Sequence, residues 1–173
     1  FIFKDLLKIL IEPSKGRILL AGKDLRDYDM AQIRDEIAVV DRANIIQAPI
    51  IDNLTFGLEN ISKTQVSDAL RAVDLEHLTH AFDNGLETIL RPSGHPLWPS
   101  QLARLEIAKT ILRNPKMVIL SDVIDQIEPH RQKTIFEHFF QSSQIFVVLS
   151  NQPFKGFTFD IPQCGINCTH CRI

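Results

Sequence analysis

The cysteines of this chain are concentrated in one short stretch. Cys164, Cys168 and Cys171 follow a C-x3-C-x2-C spacing, with His170 beside the last of them. Thiolates and an imidazole this close together are metal-ligand types. A Cys3His set suits tetrahedral zinc, and three thiolates can hold a [4Fe–4S] cluster with one iron left open. The competing reading is three reduced surface cysteines on a tail; it ranks ahead of zinc, and catalysis at an iron–sulfur cluster is not expected. His77 and His80 stand at i, i+3 with no third ligand beside them, which reads as surface or satisfied core positions. Phosphate binding would need G-x-x-x-x-G-K-[ST], whose glycines expose backbone N–H groups and whose lysine reaches the outer phosphates. The one Gly-Lys pair, Gly22-Lys23, has Arg17 where the first glycine belongs and Asp24 where the hydroxyl belongs, so it does not make that loop.

Around these groups lies an ordinary globular composition. The 173 residues are 45% hydrophobic and 23% charged, enough for one domain with its own core. Lys plus Arg number 19 against 21 Asp plus Glu, a formal net charge of −2. Without a basic excess, nucleic acid is not an expected partner. Apolar runs such as Ile145 to Leu149 are far shorter than a membrane span. Lys4 and Asp5 interrupt the opening apolar stretch, which is not signal-peptide character, and a first residue other than Met points to a fragment or processed product. All three cysteines fall within the last ten residues, so a disulfide framework is not expected and a cytosolic setting is.

Periodicity supplies the elements that must position any site. Ile2, Leu6, Leu7, Ile9 and Leu10 have helical spacing, with Pro13 as a stop, and residues 17–22 form a short strand ending at a glycine. Asp29 can cap a helix from Met30 to Glu36, followed by a buried strand over Ile37 to Val40 and a polar loop over 41–44. Thr64 to Leu75 reads as an amphipathic helix with Val66, Leu70 and Val73 on one stripe. Ser100 begins a helix that turns Leu102, Leu105, Ala108 and Leu112 inward and ends near Asn114-Pro115. Met117 to Leu120 is a strand apolar on both faces, Pro129 opens a helix through Phe140, and Ile145 to Leu149 is another buried strand. Phe136, Phe139 and Phe140 read as core, and Arg71 and Arg104 as solvated or structural. Helix, apolar strand, helix, apolar strand is the grammar of a parallel sheet with crossovers. Residues 152–173 read as a tail.

Several segments then fall into one consistent order. Gly16-Arg17-Ile18 runs to Asp24-Leu25, and Ile51 to Gly57 reads I-D-N-L-T-F-G. Leu97-Trp98-Pro99-Ser100-Gln101 precedes Leu102-Ala103-Arg104-Leu105-Glu106-Ile107-Ala108-Lys109, and Leu112 to Pro115 leads into the strand ending Ser121-Asp122. Together, over residues 4–151, they resemble the nucleotide-binding domain of ABC transporters, closest to the exporter type. That family reads G-x-I-x-x-x-G-x-x-L, T-I-x-x-N-I-x-F-G, L-S-G-G-Q, R-L-x-x-A-R, a strand ending D-E, S-A-L-D, and a strand ending in His. The resemblance implies an α/β fold, a P-loop NTPase-like parallel-sheet core, with a helical signature subdomain over about 55–113. The N-terminal strands and phosphate loop are expected to be missing.

Carried over singly, the family's nucleotide-handling positions hold other residues. Phe3, Lys4 and Asp5 align with the K-S-T of the phosphate loop, and Arg42 with the metal-contacting glutamine. Ser121 stands at the Mg²⁺ aspartate, Asp122 at the general-base glutamate, Glu128 at the D-loop aspartate, and Asn151 at the switch histidine. Asp122 keeps a carboxylate one methylene short of the family's. In the signature loop, Trp98 and Pro99 remove a hydroxyl and a backbone donor, while Ser100 and Gln101 keep some polarity. ATP and Mg²⁺ are the cofactors the family implies.

The expectation is therefore a degenerate, non-hydrolysing domain that acts structurally or as a regulatory partner of another ATPase domain. Its implied partners are a second nucleotide-binding domain, in a homo- or heterodimer, and the transmembrane domain of an exporter. Residues near 42–57 would form the surface for that membrane subunit, placing an otherwise soluble chain at the cytoplasmic face of a membrane. The alternative is a conventional ATP-hydrolysing subunit energising export, with its phosphate loop upstream of residue 1.

Overall fold

The computed structural model describes residues 16–17, 19–20 and 22–150. The helix expected over 2–10, the positions Phe3, Lys4, Asp5 and Asn151, and the Cys164, Cys168, His170 and Cys171 cluster lie outside the described residues.

Three parallel strands carry the sheet: β3 (Ile37–Val40), β4 (Met117–Leu120) and β5 (Ile145–Val148), in the order β3-β4-β5. They run level, with Ile37 opposite Met117 and Met117 opposite Ile145. A separate antiparallel pair, β1 (Leu19–Leu20) and β2 (Lys23–Asp24), turns at Gly22, whose φ of +82° suits a residue without a Cβ. Central β4 buries Val118, Ile119 and Leu120, as an apolar strand covered on both faces must. The reading of β5 as equally buried needs correction. Among the described residues it is the sheet's edge, with Ile145 56% exposed and the next three residues half-buried.

Five α-helices are described. Asp29 caps α1 (Met30–Glu36) as expected, its Oδ1 accepting from Ala31 N at 2.9 Å. The short α2 (Ile50–Thr55) buries Ile50, Asn53 and Leu54. Ser62 and Gln65 form a reciprocal capping box that starts α3 (Lys63–Ala72). This helix stops before Leu75 because Asp74 takes a left-handed φ of +55°, although Val73 and Leu75 stay buried. Pro99 opens α4 (Pro99–Arg113), and Asn114 ends it at φ +50°. Its buried set is Ala103, Arg104, Leu105, Ile107, Ala108 and Thr110, with Leu102 and Leu112 only half-covered. The predicted stripe was too narrow because α4 packs against α2, α3 and β3 at once.

The crossover from β4 to β5 is α5 (Pro129–Gln141). Phe136 and Phe139 are buried, and the Phe139 ring stacks on Phe146 with centroids 4.5 Å apart. Phe140 departs from the expected core stripe: it is 54% exposed, edge-on to Phe146 at the solvent side of the last turn. One core joins sheet and helices, running from Val118 and Leu120 through Ile107 and Leu105 to Leu54 and Leu70. Among the described residues no helix is long and apolar enough to cross a membrane.

Candidate functional site

In open α/β sheets, ligands sit beyond the C-terminal ends of the parallel strands. At the end of β4, the Ser121 backbone N–H donates to Val40 O at 2.9 Å, which aligns this residue with the end of β3. The Ser121 side chain is fully buried, and its hydroxyl has no hydrogen-bond partner. Asp122 follows, half-buried, and Asp125 accepts a hydrogen bond from the Ser150 hydroxyl. Magnesium takes hard, anionic oxygen ligands in octahedral geometry. A neutral hydroxyl stands at the position in question, and among the described residues no group of three or more His, Cys, Asp or Glu converges as metal ligands.

The loop after β3 is held from two sides. Glu106 Oε2, on α4, accepts from Asn44 N at 3.1 Å. Asn53, buried on α2, accepts from Ile46 N at 2.9 Å and donates to the carbonyls of Ile46, Ala48 and Pro49 at 3.1–3.2 Å. Arg42 lies on the exposed part of this loop, with Ile46 and Phe56 exposed beyond it. Sequence reasoning missed Glu106; its one signal was a carboxylate within an otherwise apolar turn of α4.

At the start of α4 the Trp98 ring is 74% exposed and supplies no side-chain cap. Gln101 Oε1 instead accepts from Trp98 N at 2.9 Å, and the Gln101 Nε2 lies 3.5 Å from His77 Nε2. Pro99 contributes no N–H. The Ser100 hydroxyl donates to Glu128 Oε2 at 2.7 Å. Glu128 is the N-cap of α5, and Arg131 Nε lies 3.5 Å from the same carboxylate oxygen. The Ser100 hydrogen bond above all, with Arg131 and Arg104 nearby, holds the Glu128 carboxyl below the usual glutamate range.

Behind this pair stands a second one. Arg131 reaches the Asp74 carboxylate at the end of α3. Arg104, only 2% exposed, donates to the carbonyls of Val73, Asp74 and Ser100 at 3.1, 2.6 and 3.3 Å. Burial, and then the Arg131 charge, push its guanidinium pKa down against the pull of Asp74 and Glu128. Arg104 is therefore structural, as the sequence implied, and Arg71 is solvated between Asp68 and Glu76. The structure thus brings Ser100 and Glu128 together from 28 residues apart and adds Asp74, Arg104 and Arg131, which sequence reasoning did not assign to the site. His77 and His80 are both exposed. A cavity of about 520 Å³ between α2 and α3, floored by Ile51, Leu58, Val66 and Leu70, includes none of these positions.

Comparison with known proteins follows the same register. The family description "ABC transporter" matches residues 3–124. The chain is 30% identical to an ATP-dependent lipid A-core flippase of Chromobacterium violaceum over 125 residues, covering 72% of this chain and 21% of that protein. It is 27% identical over 146 residues to the mitochondrial iron-sulfur clusters transporter ATM1 of Kluyveromyces lactis, covering 82% of this chain and 20% of the other. The chain thus spans about a fifth of the length of these curated relatives. A structure of a bacterial Atm1-family ABC exporter with ATP bound superposes with a TM-score of 0.78 at 20% identity, over 86% of this chain and 27% of that one.

Proposed function

The chain belongs to the ABC transporter family, with the parallel-sheet fold of its exporter-type ATP-binding domains, and from that premise we propose a non-hydrolysing domain that partners another ATPase domain. The observation that carries this reading is Ser121: a buried, neutral, unpartnered hydroxyl where the family resemblance calls for a metal-binding carboxylate. In P-loop NTPases an aspartate at this strand end helps hold the Mg²⁺ that phosphoryl transfer uses. Asp122 next to it is one methylene short of the expected general base, enough to misplace a catalytic contact by about 1 Å. Arg42 adds a cation on the loop where a neutral amide is expected.

What the chain retains is scaffold. Asn53 and Glu106 hold the loop over 44–49, and exposed Ile46 and Phe56 give it an apolar outer face. In this reading residues 42–57 dock on the transmembrane domain of an exporter, and the Trp98 face meets a second nucleotide-binding domain. The domain then works at the cytoplasmic face of a membrane, and any turnover uses groups from the partner. The cysteines Cys164, Cys168 and Cys171 stay reduced thiols in this reading, which metal analysis of the purified chain and its Cys168→Ser variant checks.

The deciding experiment is ATP hydrolysis by the purified chain with and without Mg²⁺. The expected result is phosphate release no faster than in buffer. Mg²⁺-dependent release that scales with protein and is lost in Asp122→Asn would overturn the reading in favour of a conventional transport ATPase. Pairing is read separately: a competent ATPase domain added to the chain should shift the emission of Trp98, the chain's one tryptophan.

A further inference from the structure

The helices α2 and α3 meet without filling the space between them. Their connection over 56–62 bends twice through left-handed backbone, at Gly57 with φ +75° and at Asn60 with φ +57°. This arch brings Leu58 and Ile61 back against the two helices, where both are half-buried. On α3, Val66 and Leu70 lie one turn apart and line the floor, while Ile51 of α2 forms a wall. The result is a cavity of about 520 Å³, a volume ordinary for a small-molecule site.

The polar groups around it fall into two sets. The Thr55 hydroxyl donates to Ile51 O at 2.9 Å, the Thr79 hydroxyl to Glu76 O at 2.7 Å, and Ser67 bonds the Glu76 carboxylate. These three are satisfied within the chain, so the interior calls for apolar contact and not for hydrogen bonds. Lys63 and Glu87 differ. Both line the cavity and both are exposed, so they stand at its edge. Among the described residues neither makes an ion pair or a side-chain hydrogen bond, with the other or with any third group. An apolar hollow thus carries one cation and one anion at its rim, each unmatched by the residues around it.

We propose that this cavity binds a small zwitterion with an apolar body, an α-amino acid of the phenylalanine or leucine class. The side chain of the ligand covers Ile51, Leu58, Val66 and Leu70, its carboxylate meets Lys63, and its ammonium meets Glu87. Burial of the apolar group supplies most of the affinity, while the two exposed charges add little each and set the choice of ligand. A fatty acid would bring its carboxylate beside Glu87, and an alkylamine would bring its charge beside Lys63. Each is opposed by one rim group that a zwitterion satisfies. Ile51 and Thr55 also belong to the stretch 42–57 assigned above to docking, which makes an apolar side chain of a docked partner the competing occupant. Such a side chain alone leaves both rim charges unanswered.

Amide NMR titration of the full chain tests this, with three probes that share one ring: L-phenylalanine, phenethylamine and hydrocinnamate. Phenylalanine should shift the amides of Leu58, Val66 and Leu70 and bind about three- to five-fold more tightly than either analogue, the effect of one exposed ion pair. Lys63→Gln should weaken phenylalanine and hydrocinnamate by a similar factor and leave phenethylamine no weaker. Glu87→Gln should weaken phenylalanine and phenethylamine and leave hydrocinnamate no weaker. Both side chains are exposed, so neither variant disturbs the core. Equal binding of the three probes, or phenylalanine binding unmoved by both variants, would overturn the proposal. No shift at those amides with any probe would also overturn it and leave the cavity to a partner's apolar side chain. The titration uses neither ATP nor a second domain, so its failure leaves the non-hydrolysing reading where it stands.

Discussion

Arg104 Nη1 lies 2.6 Å from the carbonyl oxygen of Asp74 and 3.1 Å from that of Val73, with almost no part of the side chain in water. The left-handed turn at Asp74 is what makes these acceptors available. When α3 ends there, two carbonyls that would continue the helix point at α4, and a planar guanidinium can bond both while its Nε bonds Ser100 O. Replacing Arg104 by Met removes the donors and leaves the buried Val73 carbonyl without its partner, so a loss of about 1–3 kcal/mol is expected. Arg104→Lys should recover little, because an ammonium does not reproduce the fork. Urea unfolding of the two variants against wild type measures this. Losses within a few tenths of a kcal/mol would mean the bonds are made with water instead.

Gly94 carries a steric prediction of a different kind. Its φ is +86°, and a Cβ there would stand 2.3 Å from Leu102 Cδ1 and 2.9 Å from Cδ2. Gly94→Ala should cost about 1–3 kcal/mol, or several degrees of melting temperature for a domain of this size. Leu102→Ala in the same background should recover the part due to the clash and none of the backbone strain. Thermal unfolding of the single and double variants separates the two, and full recovery would show that backbone conformation contributes nothing.

Asn53 holds the loop over 46–49 through an amide oxygen that accepts from Ile46 N and an amide NH2 whose two hydrogens are shared among the carbonyls of Ile46, Ala48 and Pro49. Asn53→Ala should lower stability by about 2–3 kcal/mol and raise amide exchange at Ile46, whose N–H loses its acceptor. The sheet strands should keep their protection. Uniform loosening of sheet and loop together would argue that Asn53 supports the whole domain rather than this connection.

The parts of this domain that were legible in its sequence are those governed by local rules. Asp29 before an amphipathic stretch capped α1, Pro129 opened α5, and four consecutive apolar residues from Met117 made the buried central strand. Errors arose where a neighbour decides. Thr64 to Leu75 has unbroken helical periodicity, and only the left-handed Asp74 stops it, a position with no glycine to announce it. Phe140 and Ile145 look as apolar as their neighbours, yet sit at the last turn of a helix and on an edge strand. The same holds at the site. Motif order brought out Ser121, Trp98 and Ser100, but the partnership of Ser100 with Glu128, and of both arginines with Asp74, depends on helix packing that no spacing encodes.

Ser121 gives a prediction whose sign is opposite to most core substitutions. Its hydroxyl is buried with no partner, so it carries a desolvation cost that no hydrogen bond offsets. Ser121→Ala removes the hydroxyl and keeps the packing, and should raise stability by about 1 kcal/mol. Chemical denaturation reads the shift directly. A destabilised Ser121→Ala would show that the hydroxyl is satisfied in solution, and the case against a ligand at the end of β4 would weaken with it.

His138 should set the pH response of the fold on the acid side of neutrality. Burial holds its imidazole below the ordinary value of 6.5, with the ring edge-on to Phe139 at 5.5 Å. The unfolded chain then takes up a proton near pH 6.5 while the folded chain does so only at lower pH, so the unfolded state binds more protons in that interval and stability falls as pH drops through it. The depressed carboxyls of Glu76 and Glu128 act in the same direction but in a lower window, beginning only as pH falls past about 4.5. His138→Gln should therefore flatten the change in urea midpoint between pH 7.5 and 5.5 and leave the steeper loss at lower pH in place. Midpoints of wild type and variant that fall in parallel across the upper interval would place the titrating group elsewhere.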